Sequence, residues 1–178
     1  KTVYWQKRKP MGRTNKILLA IEDSEASMKA VAYVAKIVRG REAIHICLFH
    51  VLPPIPPRLL EFGGTEDPQK EQVLSVELKA AQAEWIEKAK DATQLSFKRD
   101  KTILQDHGVS PDQISTHFSP TIHKPDVVRE VLNAAKQSHC GTVVVGRHRL
   151  PCVQDRFYQH TGEQLVEKGQ EFSVWVVG

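Results

Sequence analysis

Lys16-Ile-Leu-Leu-Ala-Ile-Glu-Asp-Ser24 decides the fold class of this chain. The five residues Ile17 to Ile21 are all apolar, with no polar residue alternating among them. A strand apolar on both faces suits a parallel sheet with helices on either side. The polar cluster Glu22-Asp23-Ser24 ends the run, and Asp23 or Ser24 is suited to cap a helix. Beyond it Met28, Val31, Ala32, Ala35 and Val38 recur at helical spacing, and Gly40 can end that helix. Ile44 to Val51 is then a second apolar strand.

The alternation continues outward from this unit. Residues 52–68 hold five prolines, among them Pro53, Pro54, Pro56 and Pro57, together with Gly63-Gly64. No strand or helix interior tolerates that density, so a loop is predicted. Its Pro-Pro-Ile-Pro-Pro piece reads as a stiff exit from the strand; a polyproline ligand for a partner domain is the alternative. Gln69 to His107 is helix-forming, with Leu78, Ala81, Trp85, Ala89 and Ala92 in one stripe and Gly108 as its stop. A single helix of that length would reach about 58 Å, so a bend or break is expected near Thr93–Phe97. Ile114 to Phe118 is a third strand, and Pro125-Asp126 opens a helix with Val128, Val131, Leu132 and Ala135 facing inward. Thr142 to Val145 with Gly146 is a fourth strand, a loop and short helix fill 147–168 with Gly169 as the stop, and Phe172 to Val177 is a fifth. The order β-α-β-α-β-α-β-α-β predicts an α/β protein with right-handed crossovers and a parallel sheet. Ligands are expected beyond the carboxyl ends of the strands, where strand order reverses.

Composition sets the outer bounds. A chain of 178 residues with 40% apolar and 26% charged residues suits one soluble domain. No apolar run approaches the ~20 residues of a membrane span, so no membrane insertion is expected. Cys47, Cys140 and Cys152 are odd in number, scattered and without a CxxC pair. That argues against a disulfide framework and for a reducing, cytoplasmic setting. The net charge of +4 is unevenly spread: residues 1–16 hold six basic groups and no acid, while residues 17–178 hold 19 basic and 21 acidic groups. The body is nearly neutral, so residues 1–14 read as a basic extension and 15–178 as the domain. With Tyr4 and Trp5, the extension could meet RNA, DNA or an anionic membrane surface. A solubilising role without specific nucleic-acid binding is the expectation.

Motifs for catalysis and metal binding are missing. The chain contains no GxxxxGK[ST], GxGxxG, HExxH or GxSxG, and no spaced Cys/His quartet. No catalytic residue, no metal and no enzymatic activity are therefore predicted. His45 and His50 lie on an apolar strand and read as core or rim residues.

Three stretches resemble the universal stress protein family over residues 15–178. Ile17 to Ser27 is similar to its opening strand and turn, Leu48-Phe-His-Val51 to the end of its second strand, and Val143-Val-Val-Gly146 with Val174-Trp-Val-Val177 to its fourth and fifth strands. The resemblance implies an open five-stranded parallel sheet of order 3-2-1-4-5 flanked by helices, related to the adenine-nucleotide alpha-hydrolase-like fold. It also implies a homodimer built on the fifth strand, with Phe172, Val174, Trp175 and Val176 at that edge. In family members that bind ATP the motif is a glycine, two residues, a glycine, nine residues, then Gly-Ser or Gly-Thr. Here only Gly146 matches; Arg149 takes the second glycine's place, and Gln159-His160 fall at the final pair, with Thr161-Gly162 beside them. Glu22 stands where binders place an aspartate, and His123-Lys124-Pro125 where Gly-Asp-Pro is common. The candidate nucleotide or anion site implied is Ile21, Glu22, Val51, Gly146, Arg147, His148, Arg149, Gln159, His160 and Thr161. The expectation is a cytoplasmic, dimeric stress-response protein that works through protein partners and holds no tightly bound cofactor. The alternative is binding of ATP or a related adenine nucleotide through Arg147, Arg149 and His160 in place of the glycine loop.

Overall fold

The computed structural model describes residues 15–60, 67–119, 126–147 and 161–178. Its elements alternate along the chain: β1 (Lys16–Ala20), α1 (Glu25–Val38), β2 (His45–His50), α2 (Pro68–Asp106), β3 (Ile114–Phe118), α3 (Val127–Gln137), β4 (Thr142–Gly146), α4 (Thr161–Lys168) and β5 (Ser173–Val177). The five strands form one parallel sheet in the order β3-β2-β1-β4-β5. This is the expected α/β architecture, with the order reversing between β1 and β4.

The sheet separates two apolar layers. Ile17, Leu19, Ile21, Ile46, Leu48 and Val144 face α1 and the last turns of α2, where Val31, Val34, Phe97 and Leu104 meet them. Leu18, Cys47, Phe49, Val143 and Val145 face α3 and α4, where Val131, Ala135 and Leu165 meet them. Leu18, Leu19, Val143 and Val144 are fully buried. Central strands apolar on both faces are thus explained by helices on both sides.

Helix ends follow their sequence signals. Ser24 caps α1, accepting from the Ser27 amide at 3.1 Å. Gly108, at φ 87°, ends α2, and the amides of Gly108 and Val109 bond back to Gln105 and Leu104. Those two bonds form a Schellman motif, for which a left-handed glycine is favoured. The break expected near Thr93–Phe97 does not occur: α2 is one helix of 39 residues. No proline or glycine lies between Gln69 and His107 to interrupt it. Only its last turns enter the core, through Thr93, Ser96, Phe97, Asp100 and Leu104; Val73, Leu74, Val76 and Leu95 are exposed. Leu78, Ala81, Trp85 and Ala89 of the expected stripe are half-buried and Ala92 is exposed. In the proline-rich loop Leu52 and Ile55 are buried, so part of that loop belongs to the core.

Candidate functional site

The crevice lies where the chain leaves β1, β2 and β4 and enters α1. Each exit is tied to its neighbour through short hydrogen bonds. The Ile21 amide donates to the Phe49 carbonyl at 2.9 Å, which extends β1 toward β2. The Glu22 amide donates to Ser27 Oγ at 3.1 Å, and Ser24 Oγ donates to Glu22 Oε1 at 2.9 Å. Ser24 therefore caps the helix and orients the carboxylate at once. Ser27 is buried, so its hydroxyl serves the loop rather than solvent.

His50 closes the β2 side. Its Nδ1 lies 2.9 Å from the Ile21 carbonyl oxygen. A carbonyl only accepts, so Nδ1 carries the proton and Nε2 is the acceptor of the neutral ring. Burial lowers the pKa of the imidazole below its ordinary value, while the Ile21 carbonyl and the Glu22 charge pull the other way. The ring also stacks edge-on against Phe118, with centroids 6.4 Å apart. Ser119, just beyond β3, donates its amide to the His50 carbonyl, and its hydroxyl accepts from the Leu52 amide, both at 2.9 Å.

Gly146 closes the β4 side. A Cβ on it would lie 2.5 Å from the carbonyl carbon and oxygen of Ala26 and 2.8 Å from the Ser27 nitrogen. Backbone cannot retreat as a side chain can, so glycine is required for α1 to start against β4. The Arg147 amide continues the ladder, donating to the Val177 carbonyl at 2.6 Å. Its side chain lies along the end of β5: a Cβ on Gly178 would sit 3.1 Å from Arg147 Cβ and 3.2 Å from its Cδ.

A second layer braces the loop after β1. Arg99 of α2 reaches Asp23 Oδ1 through Nη1 at 2.9 Å and Asp100 Oδ1 through Nε at 3.0 Å. Asp100 is fully buried, and burial raises its pKa against the opposing pull of Arg99.

Of the sequence-predicted site residues, Ile21, Glu22, Val51, Gly146 and Arg147 come together at these strand ends, and Thr161 opens α4. His148, Arg149, Gln159 and His160 lie outside the described residues. Sequence reading missed Ser27, Ser119 and Arg99. A lone serine or arginine carries no signal of the backbone group it will meet. His50 was read as core or rim, and it is a rim residue with a defined task. Among the described residues the crevice offers acceptors at Glu22 and His50. Among the described residues no three His, Cys, Asp or Glu side chains could hold a metal ion.

The profile of the universal stress protein family matches residues 13–178. The chain belongs to the universal stress protein family. No curated protein matches it by sequence. Solved structures share the family's fold at low identity. A hypothetical protein whose biochemical function was assigned from its structure is 19% identical, with a TM-score of 0.59, covering 93% of this chain and 96% of its own. A universal stress protein in complex with cAMP is 12% identical, with a TM-score of 0.54, covering 92% and 95%. One from Archaeoglobus fulgidus in complex with dAMP is 15% identical, with a TM-score of 0.51, covering 92% and 97%. Among the described residues no helix is long and apolar enough to cross a membrane.

Proposed function

We propose that this universal stress protein is a dimeric, cytoplasmic stress-response protein that acts through protein partners and does not hold ATP tightly. The observation that carries this reading is the packing of Gly146. It is the one glycine that matches the nucleotide motif, and contact with Ala26 and Ser27 accounts for it without a phosphate. The phosphate loop of family binders needs several glycine amides, and Arg149, Gln159 and His160 stand at the other positions. Each charge-assisted hydrogen bond lost to a phosphate costs ~1.5–3 kcal/mol, so two or three losses carry a micromolar site toward millimolar. No measurable ATP hydrolysis is expected. For assembly, β5 is an edge strand whose Val174, Trp175, Val176 and Val177 are half-buried, with Tyr33 edge-on to Trp175 at 6.4 Å. An uncharged apolar edge of this kind favours pairing with a second copy.

A second reading is favoured by the acceptors at Glu22 and His50 and by the cAMP and dAMP complexes among the similar structures. In it an adenine nucleotide binds at the strand ends, gripped by Arg147, Arg149 and His160. The course of Arg147 along Gly178 weighs against its share in that grip.

Titration calorimetry with ATP decides between the two readings. The first predicts a Kd weaker than about 0.1 mM. A low-micromolar Kd weakened by Arg149→Ala establishes the second instead. Sedimentation equilibrium is expected to give twice the 20.1 kDa chain mass. A monomer at micromolar concentration overturns the dimer.

A further inference from the structure

Away from the crevice, a groove of about 350 Å³ runs between α3 and the turn that leads from α4 into β5. One wall is a single face of α3: Asp126, Arg129, Asn133 and Lys136 recur at intervals of three and four residues and all line the groove. Val128, which is buried, and Leu132, which is half-buried, make its apolar floor. The other wall is Lys168, the last residue of α4, with Glu171 in the turn beyond it. Gly169 brings that wall close. A Cβ on it would lie 2.5 Å from the Leu165 carbonyl oxygen and 3.1 Å from Leu132 Cδ2, so the turn runs directly against α3.

The charges of the groove do not cancel. Arg129, Lys136 and Lys168 meet only the carboxylates of Asp126 and Glu171. Asp126 is committed to its own helix: it caps α3, its Oδ1 accepting from the Arg129 amide at 3.1 Å. Glu171 lies 3.9 Å from Lys136 Nζ, with both side chains more than half exposed, so that pair is loose. Among the described residues neither Arg129 nor Lys168 is in an ion pair. Two cations on facing walls are thus left to a ligand. From Asp126 to Lys136 the α3 wall is about 15 Å long at 1.5 Å per residue, short for a docked helix or strand of a protein partner. The volume lies at the small end of the range for small-molecule sites.

We infer that the groove between α3 and α4 binds a small organic anion with an apolar tail, of the alkyl carboxylate class. The carboxylate sits between Arg129 and Lys168, and the tail covers Val128 and Leu132. Arg129 supplies the planar fork that matches a carboxylate, and Lys168 a point charge from the other wall. The tail adds affinity through the apolar floor, up to about fourfold for each methylene fully removed from water. Glu171 limits the site, because it holds Lys136 and repels an anion beside it. The inference is independent of both readings of the crevice, since none of these residues lies at the carboxyl ends of β1, β2 and β4.

The test is a titration of the full, isotope-labelled chain with sodium octanoate, followed by amide chemical shifts at constant ionic strength. The expected result is a saturable set of shifts confined to residues 126–136 and 168–171, with a Kd of about 1 mM or tighter. Butanoate, with a shorter tail, should bind at least about tenfold more weakly. Octyltrimethylammonium, with the same tail and the opposite charge, should leave these amides unmoved. Arg129→Gln combined with Lys168→Gln, both at exposed positions, should weaken octanoate about tenfold. Glu171→Gln should tighten it by releasing Lys136. Shifts that do not saturate or that fall elsewhere, an octyltrimethylammonium affinity equal to that of octanoate, butanoate binding as tightly as octanoate, or an affinity unchanged in the double variant each overturn the assignment.

Discussion

At the carboxyl ends of β1, β2 and β3 the exits from the sheet are tied to their neighbours: Ser27 to Glu22, His50 to Ile21, Ser119 to Leu52. At the amino ends one buried side chain gathers a whole turn. Gln113 Nε2 lies 3.2, 3.0 and 2.7 Å from the carbonyls of Arg41, Glu42 and Ile44. Cys47 and Cys140 are buried in the apolar layer that α3 covers. The difference teaches something about reading a glycine. The crevice is held in shape by the protein's own groups, so a glycine there is explained by packing before any ligand is invoked. The amino ends depend instead on the single side chain of Gln113.

The comparison breaks most sharply at Gly146. Gly146→Ala places a Cβ 2.5 Å from the Ala26 backbone, which must shift along with the start of α1. The expected loss is about 3 kcal/mol of stability, the upper part of the range for overpacking, read as a drop in the urea midpoint. An unchanged midpoint would mean that α1 does not need the glycine, and a phosphate-binding role would regain its weight.

Next comes Gln113→Ala, which tests the amino ends. It removes the donor shared by three carbonyls, and the Ser110 amide loses its acceptor, Gln113 Oε1, at 3.0 Å. A buried acceptor left unpaired costs ~1–3 kcal/mol, so a loss of about 2 kcal/mol is expected. Ser119→Ala, which removes the hydroxyl that accepts from the Leu52 amide at the carboxyl ends, should cost about 1 kcal/mol. If Ser119→Ala proves the costlier change, the crevice is tied more by single bonds than by its close-packed backbone.

Much of this was legible in the sequence. The run Ile17–Ile21 and the block Val143–Val145 announced buried central strands, and the alternation of elements gave the class. The topology followed from the family resemblance, because strand order depends on which surfaces meet after the crossovers. The unbroken α2 departs from the expected break: its length against a compact body argues for one, but the absence of proline and glycine is the stronger signal. At the site, Glu22, Val51 and Gly146 were visible because their place after a strand is a chain-local fact. Ser27, Ser119 and Arg99 were not. Each depends on a partner 5, 67 or 76 positions away whose approach only the packed sheet decides.

The smallest effect concerns His50, and its sign separates the crevice from the rest of the molecule. Burial holds the folded-state pKa of His50 below its ordinary 6.5, so between that lowered value and 6.5 the unfolded chain binds the proton more readily. Stability from this group is therefore complete above pH 6.5 and is lost as the pH falls through the window beneath it. The groups facing the ring are the Ile21 carbonyl and Glu22, both of which oppose the shift, and the apolar Phe118. Asp100 acts with the opposite sign: its raised pKa means that the folded state holds the proton more tightly, and stability falls as the pH rises from 3.8. His50→Asn retains an N–H for the Ile21 carbonyl and removes the titration. The difference in urea midpoint between wild type and this variant cancels Asp100 and every other group the two share. That difference should shift against wild type as the pH is lowered from 7.5 to 5.5 at constant ionic strength. A difference that stays flat, or that shifts in favour of wild type, would show that His50 is not held neutral by burial, and that Nε2 is a donor rather than an acceptor in the crevice.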